Sequence, residues 1–226
     1  MSKFSFYELV IFDLDGTLIN TAPIVLNLLN ALRKASGLPQ NHLENFEQTL
    51  SYGGQKMIAS AFELDMRKDA EEIKKNLELF RTEYSKTITD RKLVYPNVTK
   101  TLNWLKSKSF KLCICTNKPR QLAINALHDT GLNAFFDEII SSEDLNTSKP
   151  DPLLISSLTS QFGIAPEHAV LIGDNILDYQ LAQNSKIDFI YFTCGYNNKE
   201  KILDKQRKFN NYKQLPMLIS EDLNKT

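Results

Sequence analysis

The sequence predicts an α/β protein, a doubly wound, mostly parallel sheet with an α-helical block inserted behind its first strand. Three observations carry that expectation. From about residue 94 onward, short apolar β-prone runs alternate with helical stretches, the order of a parallel sheet with helices on both faces. Between residues 20 and 90 the patterning is helical and no strand stands out, which is too long for an ordinary crossover. Several apolar runs stop at loops holding Asp, Thr or Gly, at the carboxyl ends where open α/β sheets bind ligands. The expected organisation is a core of residues 1–19 and 91–226 and a helical cap of residues 20–90.

The first strand is Leu9–Phe12, an apolar run that Gly16 and Thr17 soon break. Asn20 or Thr21 then caps a helix with Pro23 in its first turn. Ile24, Leu28 and Leu32 recur at helical spacing until Gly37-Leu38-Pro39. Asn41–Leu50 is polar and weakly periodic, and Ser51-Tyr52-Gly53-Gly54-Gln55-Lys56 is a loop. Met57–Phe62 is a short helix, and Arg67–Tyr84 an amphipathic one with Ile73, Leu77, Phe80 and Tyr84 on one face. After Val94-Tyr95-Pro96-Asn97, helices are expected at Val98–Lys106, Gln121–Asp129 and Leu177–Asn184, and another within Pro150–Phe162. Strands are expected at Lys111–Cys115, Glu138–Ile140, Ala169–Ile172 and Asp188–Phe192, with a short helix near Tyr212–Ile219.

Composition excludes several classes. Lys plus Arg and Asp plus Glu both number 27 in 226 residues, so no global basic field draws nucleic acid or an anionic membrane. No run approaches the roughly 20 apolar residues of a membrane span. Met1–Glu8 lacks the apolar core of a signal peptide. Three cysteines argue against a disulfide framework and for a reducing compartment. Cys113 and Cys115 lie in an apolar run and read as small core residues, since C-x-C is not a zinc or dithiol spacing. A cytoplasmic protein is expected, monomeric or homodimeric, with neither nucleic acid nor membrane as partner.

The groups able to do chemistry sit at strand ends or in loops. Asp13 and Asp15, two apart, project from the same side of an extended chain, where like charges raise each other's pKa. A divalent cation, or a proton-transfer role for one of them, is the usual reason to tolerate such a pair. Thr116 and Asn117 end a second strand and can hold phosphate oxygens. Lys149 lies in the proline-stiffened stretch Ser148-Lys149-Pro150-Asp151-Pro152, suited to a point charge on phosphate. Asp174 and Asp178, one helical turn apart, can converge near a further strand end. Taken singly, Thr116 reads more simply as a polar turn and Lys149 as a surface lysine. Asp174 and Asp178 alone could be acids decorating a helix N-terminus.

Taken together and in order, Asp13-Leu14-Asp15-Gly16-Thr17-Leu18, Thr116, Lys149 and Gly173-Asp174…Asp178 resemble the four motifs of the haloacid dehalogenase-like superfamily. The resemblance spans nearly the whole chain and implies a Rossmann-like core with an inserted helical cap. Asn20-Thr21-Ala22-Pro23, Cys115-Thr116-Asn117-Lys118-Pro119, Ser148–Pro152 and Gly195-Tyr196-Asn197 further resemble phosphoglycolate phosphatases. Asn20 stands where aspartate is common, and Asn175 where serine or threonine is.

The resemblance implies a Mg²⁺-dependent phosphatase acting on a small phosphorylated metabolite. Asp13 is the expected nucleophile and Asp15 the acid and base. Thr116, Asn117 and Lys149 would bind phosphate. Asp13, Asp174 and the Asp15 carbonyl would hold the metal, with Asp178 behind them. Within the same fold, a sugar-phosphate mutase, a pyrophosphatase or a nucleotidase would use the same groups. A non-catalytic phosphate-binding module is the alternative from another class.

Overall fold

A computed structural model describes residues 7–40, 42, 49–50, 53–196 and 203–220. Ser51, Tyr52, Asn197 and most of the polar stretch from 41 to 50 lie outside the described residues. The strands are β1 (Leu9–Phe12), β2 (Lys111–Thr116), β3 (Glu138–Ser141), β4 (Ala169–Gly173), β5 (Asp188–Phe192) and β6 (Arg207–Phe209). They form one sheet in the order β3-β2-β1-β4-β5-β6, parallel throughout. That is the doubly wound order, in which the order of strand addition reverses beside the first strand.

Alternation along the strands explains why both faces are covered. Val10, Phe12, Leu112, Ile114, Val170 and Ile172 belong to one buried cluster. Leu9, Ile11, Cys113, Cys115 and Leu171 belong to another. Period-two side chains on a strand buried on both faces make continuous apolar runs rather than polar alternation. Cys113 and Cys115 are core residues, as expected. Helices α4 (Val98–Ser107) and α5 (Arg120–Thr130) cover the first face, α6 (Leu153–Phe162) and α7 (Ile176–Ser185) the second. Helix α8 (Leu215–Ser220) closes the first face near Tyr212.

Between β1 and α4 come α1 (Ala22–Ala35), α2 (Gly54–Phe62) and α3 (Ala70–Tyr84). They pack on one another around Leu29, Ile58, Ile73, Phe80 and Tyr84, a third apolar cluster. The chain leaves and re-enters the sheet side by side: Asn20 N donates to Leu93 O at 2.8 Å and Tyr95 N to Leu18 O at 3.0 Å.

Some boundaries differ from expectation. Helix α3 starts at Ala70 rather than Arg67, because Asp65 Oδ1 accepts from Arg67 N and Lys68 N and closes a turn first. Helix α6 falls inside the expected stretch Pro150–Phe162, and Leu153 N at its start donates to Asp151 Oδ1. Strand β6 escapes sequence reading because only Phe209 of its three residues is buried. The expected helix at Tyr212–Ile219 is a 3₁₀ turn, Tyr212–Gln214, running into α8. Among the described residues, no helix is long and apolar enough to cross a membrane.

Candidate active site

Register brings the chemistry together. Phe12 lies beside Ile114 of β2 and Ile172 of β4, so the chain beyond each strand emerges at one edge of the sheet. Asp13 N still donates to Ile172 O, at 2.9 Å. Beyond it the backbone turns: Leu18 N and Ile19 N both donate to Leu14 O, and Gly16 adopts φ +86°. A Cβ on Gly16 would lie 2.5 Å from Asp174 Oδ2, so both conformation and space demand glycine there. Asp13 and Asp15 line the same cavity but take different hydrogen-bond partners.

Asp13 belongs to a buried cluster. Lys149 Nζ donates to Asp13 Oδ1 at 2.5 Å and to Asp178 Oδ1 at 2.7 Å. Asp174 accepts from Thr17 Oγ1 at 2.9 Å and from Tyr196 N at 2.7 Å. Gly195 lets that loop approach, since a Cβ there would meet Asp174 Cβ at 2.2 Å. Asp178 Oδ2 accepts from Asp174 N, Asn175 N and Asn175 Nδ2. Asn175 thereby caps α7 in a reciprocal capping box with Asp178.

Asp13, Asp174 and Asp178 each offer an oxygen, and these lie within 4.8 Å of one another. Burial pushes the Asp13 carboxyl well above the ordinary range, against the pull of Lys149 and with Asp178 and Asp174 adding repulsion. Burial, then Asp178, push Asp174 up to about 7. Burial opposes the Lys149 ammonium, but Asp13 and Asp178 outweigh it and hold its pKa above the lysine norm. Three buried carboxylates facing one lysine leave an excess of negative charge. The all-oxygen donor set is that of a hard divalent cation such as Mg²⁺, so the residues fit the metal that the motifs imply.

Asp15 has a separate environment. It accepts from Thr21 Oγ1 at 2.7 Å and from Lys118 Nζ at 3.1 Å on both oxygens. Lys118 Nζ also donates to Tyr84 Oη of α3 at 2.7 Å and lies 4.2 Å from that ring's centroid. Tyr196 Oη accepts from Ala22 N at 2.9 Å and joins Thr21, tying the start of α1 to the loop that holds Asp174.

A cavity of about 100 Å³ opens over these groups. Asp13, Asp15, Thr116, Asn117 and Lys149 line one side, and Val25, Met57, Phe80, Arg81 and Tyr84 of the helical block line the other. Asp174 and Asp178 stand behind Lys149 and Asp13 rather than on the cavity wall. Asn117 Oδ1 accepts from Lys149 N at 2.9 Å, so it also positions the lysine loop. Sequence reasoning assigned no task to Thr17, Tyr84, Lys118 or Tyr196. Lys118 and Tyr196 did lie within the quoted motifs, whereas Tyr84 read only as a core residue of its helix.

The family model for haloacid dehalogenase-like hydrolases matches residues 10–192, and the chain belongs to that family. Within it, the chain resembles phosphoglycolate phosphatases. That of Nitrosococcus oceani is 31% identical over 88% of this chain and 89% of its own, and phosphoglycolate phosphatase 1 of Pseudomonas aeruginosa is 31% identical over 87% and 73%. With that family and those relatives, the chain is a phosphatase, a phosphoric monoester hydrolase. A crystal structure of a predicted phosphoglycolate phosphatase from Haemophilus somnus superposes with TM-score 0.83 at 26% identity, covering 95% of this chain and 99% of that one. A β-phosphoglucomutase from Clostridium difficile reaches TM-score 0.80 at 21% identity over 97% and 98%, a likeness of fold alone.

Proposed function

We propose that the protein is a Mg²⁺-dependent phosphatase that hydrolyses 2-phosphoglycolate, or a close small phosphate monoester, through an aspartyl-phosphate on Asp13. The observation that carries this reading is the buried trio Asp13, Asp174 and Asp178 with Lys149 against it, at the edge of the cavity. The names of the relatives supply the substrate. Residues 20–90 act as a cap that closes the cavity and selects what enters.

Asp13, Asp174 and the backbone carbonyl of Asp15 would hold Mg²⁺, with Asp178 supporting them. When bound, the ion supplies positive charge that offsets repulsion between an anionic nucleophile and a phosphate dianion. An Asp13 carboxylate oxygen attacks phosphorus, and the ester P–O bond breaks as the Asp13–O–P bond forms. The leaving alkoxide takes its proton from Asp15, which Lys118 and Thr21 hold in place. Water then gives a proton to Asp15 and attacks phosphorus; the acyl phosphate bond breaks, releasing inorganic phosphate and restoring Asp13. The Thr116 hydroxyl and Lys149 stabilise charge on the non-reacting phosphate oxygens.

The inert core thiols Cys113 and Cys115, both pushed up to about 12 chiefly by burial, suit a reducing cytoplasm. The test is phosphate release from a panel of 2-phosphoglycolate, pyrophosphate, a nucleoside monophosphate and a sugar phosphate, with Mg²⁺ or with excess EDTA. The expected outcome is turnover of 2-phosphoglycolate that chelation stops. Full activity in chelator, or release only from another ester, would refute the metal or the substrate respectively. No release from any of them leaves the binding module as the better description.

A further inference from the structure

We propose that Lys118 and Tyr84 form the specificity site for a carboxylate on the leaving-group side of the substrate. This rests on the phosphatase reading above and adds which residues recognise the non-reacting end. The two lysines of the site face different tasks. Lys149 sits with Asp13 at the reacting end, and Lys118 sits with Asp15, beside whatever group departs.

Lys118 is buried, its side chain 7% exposed, yet it lies on the cavity wall. The group departing from phosphorus must lie against Asp15. A charge two bonds from the ester oxygen therefore falls beside Lys118 Nζ. Tyr84 completes the corner. Its oxygen accepts from Lys118, and among the described residues its own hydroxyl proton has no acceptor, so it can donate to an anion in the cavity. Asp15, at 3.1 Å on both oxygens, takes one bifurcated N–H of Lys118 and Tyr84 a second, so the third N–H and the tyrosine O–H are left side by side for the two oxygens of a carboxylate.

Arg81, one turn earlier on α3, also lines the cavity. Its ion pair with Glu143 is long, 3.8 Å, and both side chains are about half exposed, so the guanidinium can turn inward as a second cation. Val25, Met57 and Phe80 make much of the described wall on this side apolar. The chemistry therefore selects phosphate esters of a small hydroxycarboxylic acid over esters of a neutral alcohol. Because Lys118 belongs to the core and Tyr84 to α3, a carboxylate held between them also joins the helical block to the sheet.

The test compares 2-phosphoglycolate with ethyl phosphate, which replaces the carboxylate by a methyl group. The readout is the ratio of their kcat/KM values in wild type, Lys118→Met and Tyr84→Phe. Wild type is expected to favour 2-phosphoglycolate. Lys118→Met should shrink the ratio by about 10- to 100-fold, the worth of one charge-assisted hydrogen bond. Tyr84→Phe keeps the ring beside Phe80 and should shrink it by about 2- to 10-fold. Tyr84→Phe decides the matter should Lys118→Met fail to fold. Equal losses on both esters, or an unchanged ratio, would overturn the assignment and leave Lys118 acting through Asp15 alone. A wild type that turns over both esters equally overturns it without touching the phosphatase reading. A wild type that releases phosphate from neither overturns it together with the 2-phosphoglycolate assignment.

Discussion

Lys149 Nζ lies 2.5 Å from Asp13 Oδ1, joining residues 136 positions apart at the edge of one sheet. The same ammonium reaches Asp178, so a single cation faces a cluster of three buried carboxylates. Much of the site's behaviour follows from that imbalance.

Lys149→Met removes the only cation hydrogen-bonded to this cluster among the described residues. Side chains at this pair are 3% and 8% exposed, so solvent screens little. Breaking a buried pair by deleting one partner costs about 3–5 kcal/mol. Urea denaturation in EDTA should show that loss, and saturating Mg²⁺ should restore part of it.

Asp13→Asn keeps the size of the side chain and an acceptor for Lys149 but removes the proposed nucleophile. Turnover should fall by at least about 10⁴-fold, with an unchanged circular dichroism spectrum. A variant within tenfold of wild type would end the nucleophile assignment.

The raised pKa values of Asp13 and Asp174 make the metal-free protein sensitive to pH. Both carboxyls hold protons more tightly folded than unfolded. Their contribution to stability is complete below about pH 4, the unfolded value. For Asp174 it is lost as pH rises through about 7. Thermal melts in EDTA should therefore weaken between these limits. Mg²⁺ competes with those protons and should raise the melting temperature more at pH 8 than at pH 5. A Mg²⁺ shift independent of pH would contradict the account.

Asn175→Ala deletes the cap of α7 and the 2.7 Å bond from its amide to Asp178. The cap should cost about 1 kcal/mol. Loss of support for Asp178 should weaken Mg²⁺ binding by about 10- to 100-fold. Asn175→Ser, which keeps a capping oxygen, should recover most of the stability. Denaturation and Mg²⁺ titration, run on both variants, separate the two effects.

The site was partly legible because its groups end strands. Asp13, Thr116 and Asp174 follow runs whose apolar content announces burial, and the order of the motifs carries the family. Lys149 was harder, since a loop lysine just before Pro150 looks like surface until Asp13 and Asp178 are seen beside it. Lys118 was not assigned a task at all. Its significance comes from Asp15 and Tyr84, 103 and 34 positions away, and no local pattern reports such distances.

Local patterning alone determined the parallel sheet, the helical stretch between β1 and α4, and the candidate groups, because burial on both faces and helical periodicity are written into neighbouring residues. Which groups meet was decided by tertiary structure. The ends of β1 and β4 meet the Lys149 loop so that Lys149 reaches both Asp13 and Asp178, and the placement of α3 brings Tyr84 to Lys118. Those encounters depend on strand register and on close approach between distant segments, which a one-dimensional pattern does not encode.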